Sequence, residues 1–159
     1  IDFDLKMRIP DWCKSYQVSL NGKEISTPRV SNGYLSISRN WKAGDEITLL
    51  LDMPVELVAA DSRVKENIGK RAVQRGPLVY CLEQTDNPDI NMDYVSIDQG
   101  TAFSLQTGEG KLKEMKILKA NPENGELTFV PYFAWDNREA GKMKVWVDYN
   151  EKTTLYKLK

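Results

Sequence analysis

Paired carboxylates are the first chemistry this chain offers. Glu56, Asp61, Glu66 and Glu83 lie around the middle of the 159 residues. Two acids held roughly 5 to 10 Å apart can cleave a glycosidic bond, one protonating the leaving group and the other acting as nucleophile or base. Most of the four stand beside polar residues or at the end of an apolar run, where a solvated acid is the default. Aromatic rings are the second resource: Trp12, Tyr16, Tyr34 and Trp41 early, and Tyr132, Phe133, Trp135 and Trp146 late. Flat exposed rings stack on the C–H faces of sugars, whereas rings in small β-domains mostly fill the core. The densest word is Pro131 to Arg138. Tyr132, Trp135, Asp136, Asn137 and Arg138, with Trp41 from the first half, are the candidates for binding sugar or for docking another domain. Docking ranks ahead of ligand binding, because arginine and aromatic residues are enriched at interface cores. The plainer alternative is a strand end followed by a polar turn.

Other chemistries are poorly provided for. With two cysteines and no histidine, neither a four-ligand zinc site nor a histidine-based nucleophile device can be assembled readily. Cys13 and Cys81 could pair, but Cys81 stands in an apolar run where a reduced, inert thiol is favoured. Lys70, Arg71 and Arg75 are too few and too interspersed for an anion site. Gly108-Glu109-Gly110 is a flexible turn with no helical pattern after it, so it is not a phosphate loop. The 22 basic and 23 acidic residues nearly cancel, and no basic cluster offers the counterion release that nucleic-acid binding requires. Apolar runs reach five or six residues, far short of a membrane span. At 41% hydrophobic and 28% charged, the composition is that of a globular protein.

Strands must position these groups. Leu5, Met7 and Ile9 alternate with Lys6 and Arg8 until Pro10 stops the run. Tyr16 to Leu20 alternates again, and Asn21-Gly22 turns it into Lys23-Glu24-Ile25 as a tight hairpin. Leu35 with Ile37, and then Ile47, Leu49 and Leu51, read as inward-facing sets. Val55 to Ala59 carries on after Pro54. The polar stretch Asp61 to Gly69 separates two strand-rich halves, which puts a boundary near residue 60. Next comes Pro77 to Leu82, a short uncharged run closed by Glu83, which reads as a strand buried on both faces. Short strands follow at Tyr94 to Ile97, Phe103 to Leu105, Met115 to Leu118, Leu127 to Tyr132 and Lys142 to Val147, the last with Met143, Val145 and Val147 on one face. Asn121 to Gly125 is a turn by composition. About a dozen short strands at regular spacing, with no helical period, predict an all-β fold: an antiparallel β-sandwich, jelly-roll-like. The opening Ile1-Asp2-Phe3 reads as mid-strand, as expected for a piece of a longer protein.

Several strings, taken together and in order, resemble the C-terminal part of the DUF1680 proteins, glycoside hydrolase family 127, whose characterised members are β-L-arabinofuranosidases. They are Met7 to Trp12, Val18 to Gly22, Gly33 to Ile37, Trp41 to Asp45, Met53 to Val55, Arg75 to Glu83, Val130 to Trp135 and Met143 to Trp146. The resemblance implies an N-terminal α/α barrel followed by two β-sandwich regions. Residues 1–60 correspond to the latter part of the middle sandwich and 61–159 to the C-terminal one. It places the nucleophilic cysteine and the zinc-binding Glu and Cys residues in or at the end of the barrel. None of these maps onto Cys13 or Cys81, so no catalytic, cofactor or metal residue is carried over. The expected role is non-catalytic: bracing the protein's own barrel, with a second copy and carbohydrate as further partners. The parent would be periplasmic or secreted, given polymeric arabinose-containing substrates. Two other classes stay open: a carbohydrate-binding module, and a self-contained hydrolase using acids such as Glu56 and Glu66.

Overall fold

The computed structural model describes residues 1–26, 30–122 and 125–151. It is all-β and built from antiparallel sheets, with 3₁₀ turns and no α-helix among the described residues. None of those residues forms a helix long and apolar enough to cross a membrane. The chain divides into two compact units, Ile1–Pro54 and Val55–Lys159.

In the first unit the strands are β1 (Asp2–Arg8), β2 (Tyr16–Leu20), β3 (Lys23–Glu24), β4 (Val30–Ser31), β5 (Tyr34–Asn40) and β6 (Ile47–Leu51). They form two three-stranded sheets, ordered β1-β5-β4 and β3-β2-β6. The predicted β2–β3 hairpin is present. Leu20 faces Lys23, and Asn21 and Gly22 both take positive φ, 50° and 75°, as a two-residue primed turn requires. Asn32 and Gly33 repeat the device between β4 and β5. The two sheets share a core of Ile9, Val18, Leu35 and Ile37, with Ile47, Leu49 and Leu51 packed against it.

The second unit contains β7 (Val55–Val58), β8 (Lys70–Arg75), β9 (Leu78–Glu83), β10 (Ser96–Asp98), β11 (Ala102–Thr107), β12 (Lys116–Asn121), β13 (Leu127–Pro131), β14 (Met143–Lys144) and β15 (Trp146–Asn150). Its sheet runs β10-β15-β8-β9-β13-β12-β11, with β7 beside β8 and β14 beside β9. β10 and β15 are paired parallel, an exception to the expected pattern.

Strand β9 is central, and alternation splits its side chains between two cores. Tyr80 and Leu82 join Val73, Leu118, Leu127, Phe129 and Val147 on one side. Cys81 joins Ile117, Val130, Leu112 and Ala134 on the other. Burial on both faces therefore holds from Tyr80 to Glu83, while Val79 nearer the turn is exposed.

Four sequence expectations shift. The boundary falls at Pro54/Val55 rather than near 60, because Val55 to Val58 pairs with β8 across the polar stretch. Lys70 to Arg75, to which the sequence reading assigns no strand, is one: it forms a hairpin with β9 through Gly76-Pro77, where Gly76 takes φ 55°. Tyr94 lies outside β10 and is well exposed. Met143 and Val145 share a core that Val147 does not, since the strand breaks at Val145 and moves from β9 to β8. The Asn121 to Gly125 turn includes Glu123 and Asn124, which lie outside the described residues. Both cysteines are free thiols.

Candidate functional site

Glu83 is the last residue of β9 and points to the Cys81 side of the sheet. The 3₁₀ turn Gln84–Asp86 follows at once and carries Asp86 to the same region. β13 runs into a second 3₁₀ turn, Tyr132–Ala134, and Asp136 then takes a left-handed φ of 58° that redirects the chain. That redirection brings Arg138 onto both acids. Its Nη2 donates to Glu83 Oε2 and to Asp86 Oδ2 at 2.6 Å, and its Nη1 donates to Asn137 Oδ1 at 2.8 Å. The Asp136 amide donates to the other Glu83 oxygen at 2.9 Å. Glu83 is only 5% exposed, so its reading as a solvated strand-end acid is overturned. The signal available in the sequence was a charge directly abutting a fully apolar strand. Its partner, Arg138, is 55 residues away.

Burial pushes the Asp86 carboxyl above its ordinary value, and the Arg138 guanidinium opposes that shift. Burial, with the Glu83 charge adding to it, pushes the Cys81 thiol up to about 12, which makes it a poor nucleophile. Because Glu83 and Asp86 bind one nitrogen of Arg138, two carboxylates stand side by side, the minimum a glycosidic acid pair requires. Glu83 is nevertheless shut off from solvent and spent on protein donors. The arrangement is suited to anchoring the 132–138 segment rather than to attacking a substrate.

The anchored segment presents rings. Tyr132, Phe133 and Trp135 are 43%, 66% and 41% exposed, and the Tyr132 and Trp135 rings stack at 6.3 Å with 18° between planes. The six candidates from the sequence therefore separate by role. Asp136, Asn137 and Arg138 hold the loop, Tyr132 and Trp135 face outward, and Trp41 belongs to the first unit. There the Trp41 indole N–H donates to the Phe3 carbonyl at 3.0 Å, its ring stacks on Phe3, and the Arg39 guanidinium lies over it. The proposed acids of a self-contained hydrolase stand on different elements, Glu56 half-buried on β7 and Glu66 exposed in the 3₁₀ turn Lys65–Asn67. Asp61 is exposed and chelated by Arg63.

Next to the Arg138 cluster is a cleft of about 420 Å³, lined by Asp86 and Arg138, by residues of β11, β12 and β13, and by Glu109 and Leu112 from the connection between β11 and β12. Of its lining residues the sequence singled out Arg138 alone, since Gln106, Lys119 and Thr128 are ordinary alternating positions of amphipathic strands. As to zinc, no three His, Cys, Asp or Glu side chains gather to hold a metal among the described residues.

Comparison with known proteins gives consistent matches over both units. A model described as the glycoside hydrolase family 127 C-terminal domain matches residues 55–148, and one described as the β-L-arabinofuranosidase GH127 middle domain matches residues 1–53. The chain is 36% identical to a non-reducing end β-L-arabinofuranosidase of Bifidobacterium longum subsp. longum, covering 88% of this chain and 25% of that protein. Among solved structures it resembles a GH127 β-L-arabinofuranosidase from Geobacillus stearothermophilus at 32% identity and TM-score 0.82, over 94% of this chain and 27% of that one. A second GH127 β-arabinofuranosidase gives 32% identity and TM-score 0.84, over 94% and 28%. The chain spans about a quarter of the length of these relatives.

Proposed function

The chain belongs to glycoside hydrolase family 127, and on that premise we propose that it is the non-catalytic β-region of a β-L-arabinofuranosidase-like enzyme acting on arabinose-containing glycans. Its role in this reading is to brace the catalytic α/α barrel, which supplies the nucleophile and any zinc. The parent works outside the cytoplasm, in the periplasm or after secretion, where such polymers are met.

One observation carries the bracing role. Tyr132, Phe133 and Trp135 form an exposed aromatic surface on a segment fixed from beneath by the buried Glu83–Arg138 pair. A rigid apolar surface pays little ordering entropy on docking, so it suits a permanent intramolecular contact. The test is Phe133→Ser in both the parent enzyme and the isolated chain. Bracing predicts that the parent's Tm falls by several degrees while the isolated chain's is unchanged, because Phe133 contributes little to the chain's own core. An unchanged parent Tm would remove the docking surface. The near-parallel Tyr132 and Trp135 rings favour a second reading, carbohydrate binding at the same face, which predicts quenching of Trp135 fluorescence by arabinose oligosaccharides.

A further inference from the structure

The cleft beside Arg138 has a defined floor. In the antiparallel register Gln106 opposes Ile117 and Lys119 opposes Thr128. Directly opposed residues share a face, so these four side chains lie together across β11, β12 and β13, and all four line the cleft. Ile117 and Leu112, both nearly buried, supply an aliphatic patch. Gly108 lets the end wall close down: a Cβ there would sit 2.6 Å from the Leu112 carbonyl oxygen. The volume of about 420 Å³ lies in the range of about 300 to 1,000 Å³ usual for small-molecule sites.

The cations of the cleft are already engaged within the protein. Lys119 donates to Glu126 at 2.7 Å and to the Thr128 hydroxyl at 2.8 Å. Arg138 is taken up by Glu83, Asp86 and Asn137. A hydroxyl that accepts from a lysine keeps its own proton to give, so Thr128 is set as a donor. Gln106 offers both a donor and an acceptor, and the exposed Glu109 carboxylate accepts. Donors and acceptors over an aliphatic patch, with Lys119, Arg138 and Asp86 already paired and the Glu109 carboxylate left to accept, suit a ligand rich in hydroxyls and without negative charge.

We infer that this cleft binds a neutral saccharide of one or two sugar units, at a site separate from the aromatic surface of Tyr132 to Trp135. The choice of arabinose as the first sugar to try rests on the function proposed above; the cleft itself does not.

The experiment is an amide NMR titration of the 159-residue chain with L-arabinose, an arabinose-containing oligosaccharide, galactose, and sodium acetate as a charged control. Saturable shifts at Gln106, Thr107, Lys119 and Thr128 with a neutral sugar, and none with acetate, are the expected result. The exposed-site variant Gln106→Ala should weaken that binding about tenfold, with the rest of the spectrum unchanged. If galactose binds there and arabinose does not, the cleft stands and the choice of arabinose as its sugar fails. Absence of saturable shifts up to high millimolar sugar would overturn the site. So would shifts centred on Tyr132 and Trp135, or a response to acetate alone.

Discussion

Removing Arg138 should unfold the second unit's polar anchor at a cost that can be worked out from its contacts. In Arg138→Met the aliphatic stem survives and the guanidinium is lost. Glu83, 5% exposed, then keeps only the Asp136 amide as donor among the described residues, which leaves an uncompensated buried carboxylate. Breaking one side of a buried pair costs about 3 to 5 kcal/mol, a large fraction of the roughly 5 to 15 kcal/mol that holds a domain together. With an m-value of about 2 kcal/mol/M in urea, the midpoint should fall by about 2 M. The partner change Glu83→Leu should cost less, about 1 to 3 kcal/mol, because Arg138 retains Asp86 at 2.6 Å and that acid is itself partly hydrated. The double variant should then be more stable than the sum of the two losses predicts, by at least about 1 kcal/mol of coupling. Urea unfolding followed by circular dichroism, with hydrogen exchange at the Asp136 amide, measures both the energy and the loosening of the loop. A loss below about 0.5 kcal/mol for Arg138→Met, typical of a surface site, would refute the argument.

Two further outcomes follow from buried groups. Asn87 is buried and bridges two strands, donating to the Glu83 and Thr128 carbonyls at 2.9 and 3.0 Å and accepting from the Thr128 amide at 2.8 Å. Asn87→Asp should destabilise by about 3 kcal/mol or more, since an acceptor-only carboxylate would face two carbonyl oxygens; a differential-scanning Tm within a degree of wild type would contradict this. The Cys81 thiol, raised by burial from 9.0 to about 12, stays protonated in the folded chain while the unfolded chain ionises. Its contribution to stability is whole below pH 9 and is lost as pH rises toward 12, by about 1.4 kcal/mol per unit. Urea midpoints at pH 8 and 10 should therefore diverge more in wild type than in Cys81→Ala, and Cys81 should resist thiol reagents until unfolding. Equal pH slopes in the two proteins would dismiss that account.

Most strands and their inward faces could be read from the sequence, because alternation and turn chemistry are local properties. Leu35 and Ile37 face inward because they sit two apart. Asn21-Gly22 makes a hairpin because those residues tolerate positive φ wherever they occur. The apolar word ending in Glu83 likewise announced a strand shielded on both faces, and the ordered motifs pointed to the family. What the strands do to one another was not legible. Lys70 to Arg75 drew no strand assignment, and it is one because β7, β9 and β15 all pair with it. The meaning of Glu83 reversed once Arg138, 55 residues on, was folded back against it. Gln106, Ile117, Lys119 and Thr128 became the floor of one cleft only through the registers of β11, β12 and β13. The energy of a turn or an alternating strand is set by neighbours in sequence. That of a buried ion pair or a cleft is set by which distant strands pair and in what register, and only the closed sheet decides that.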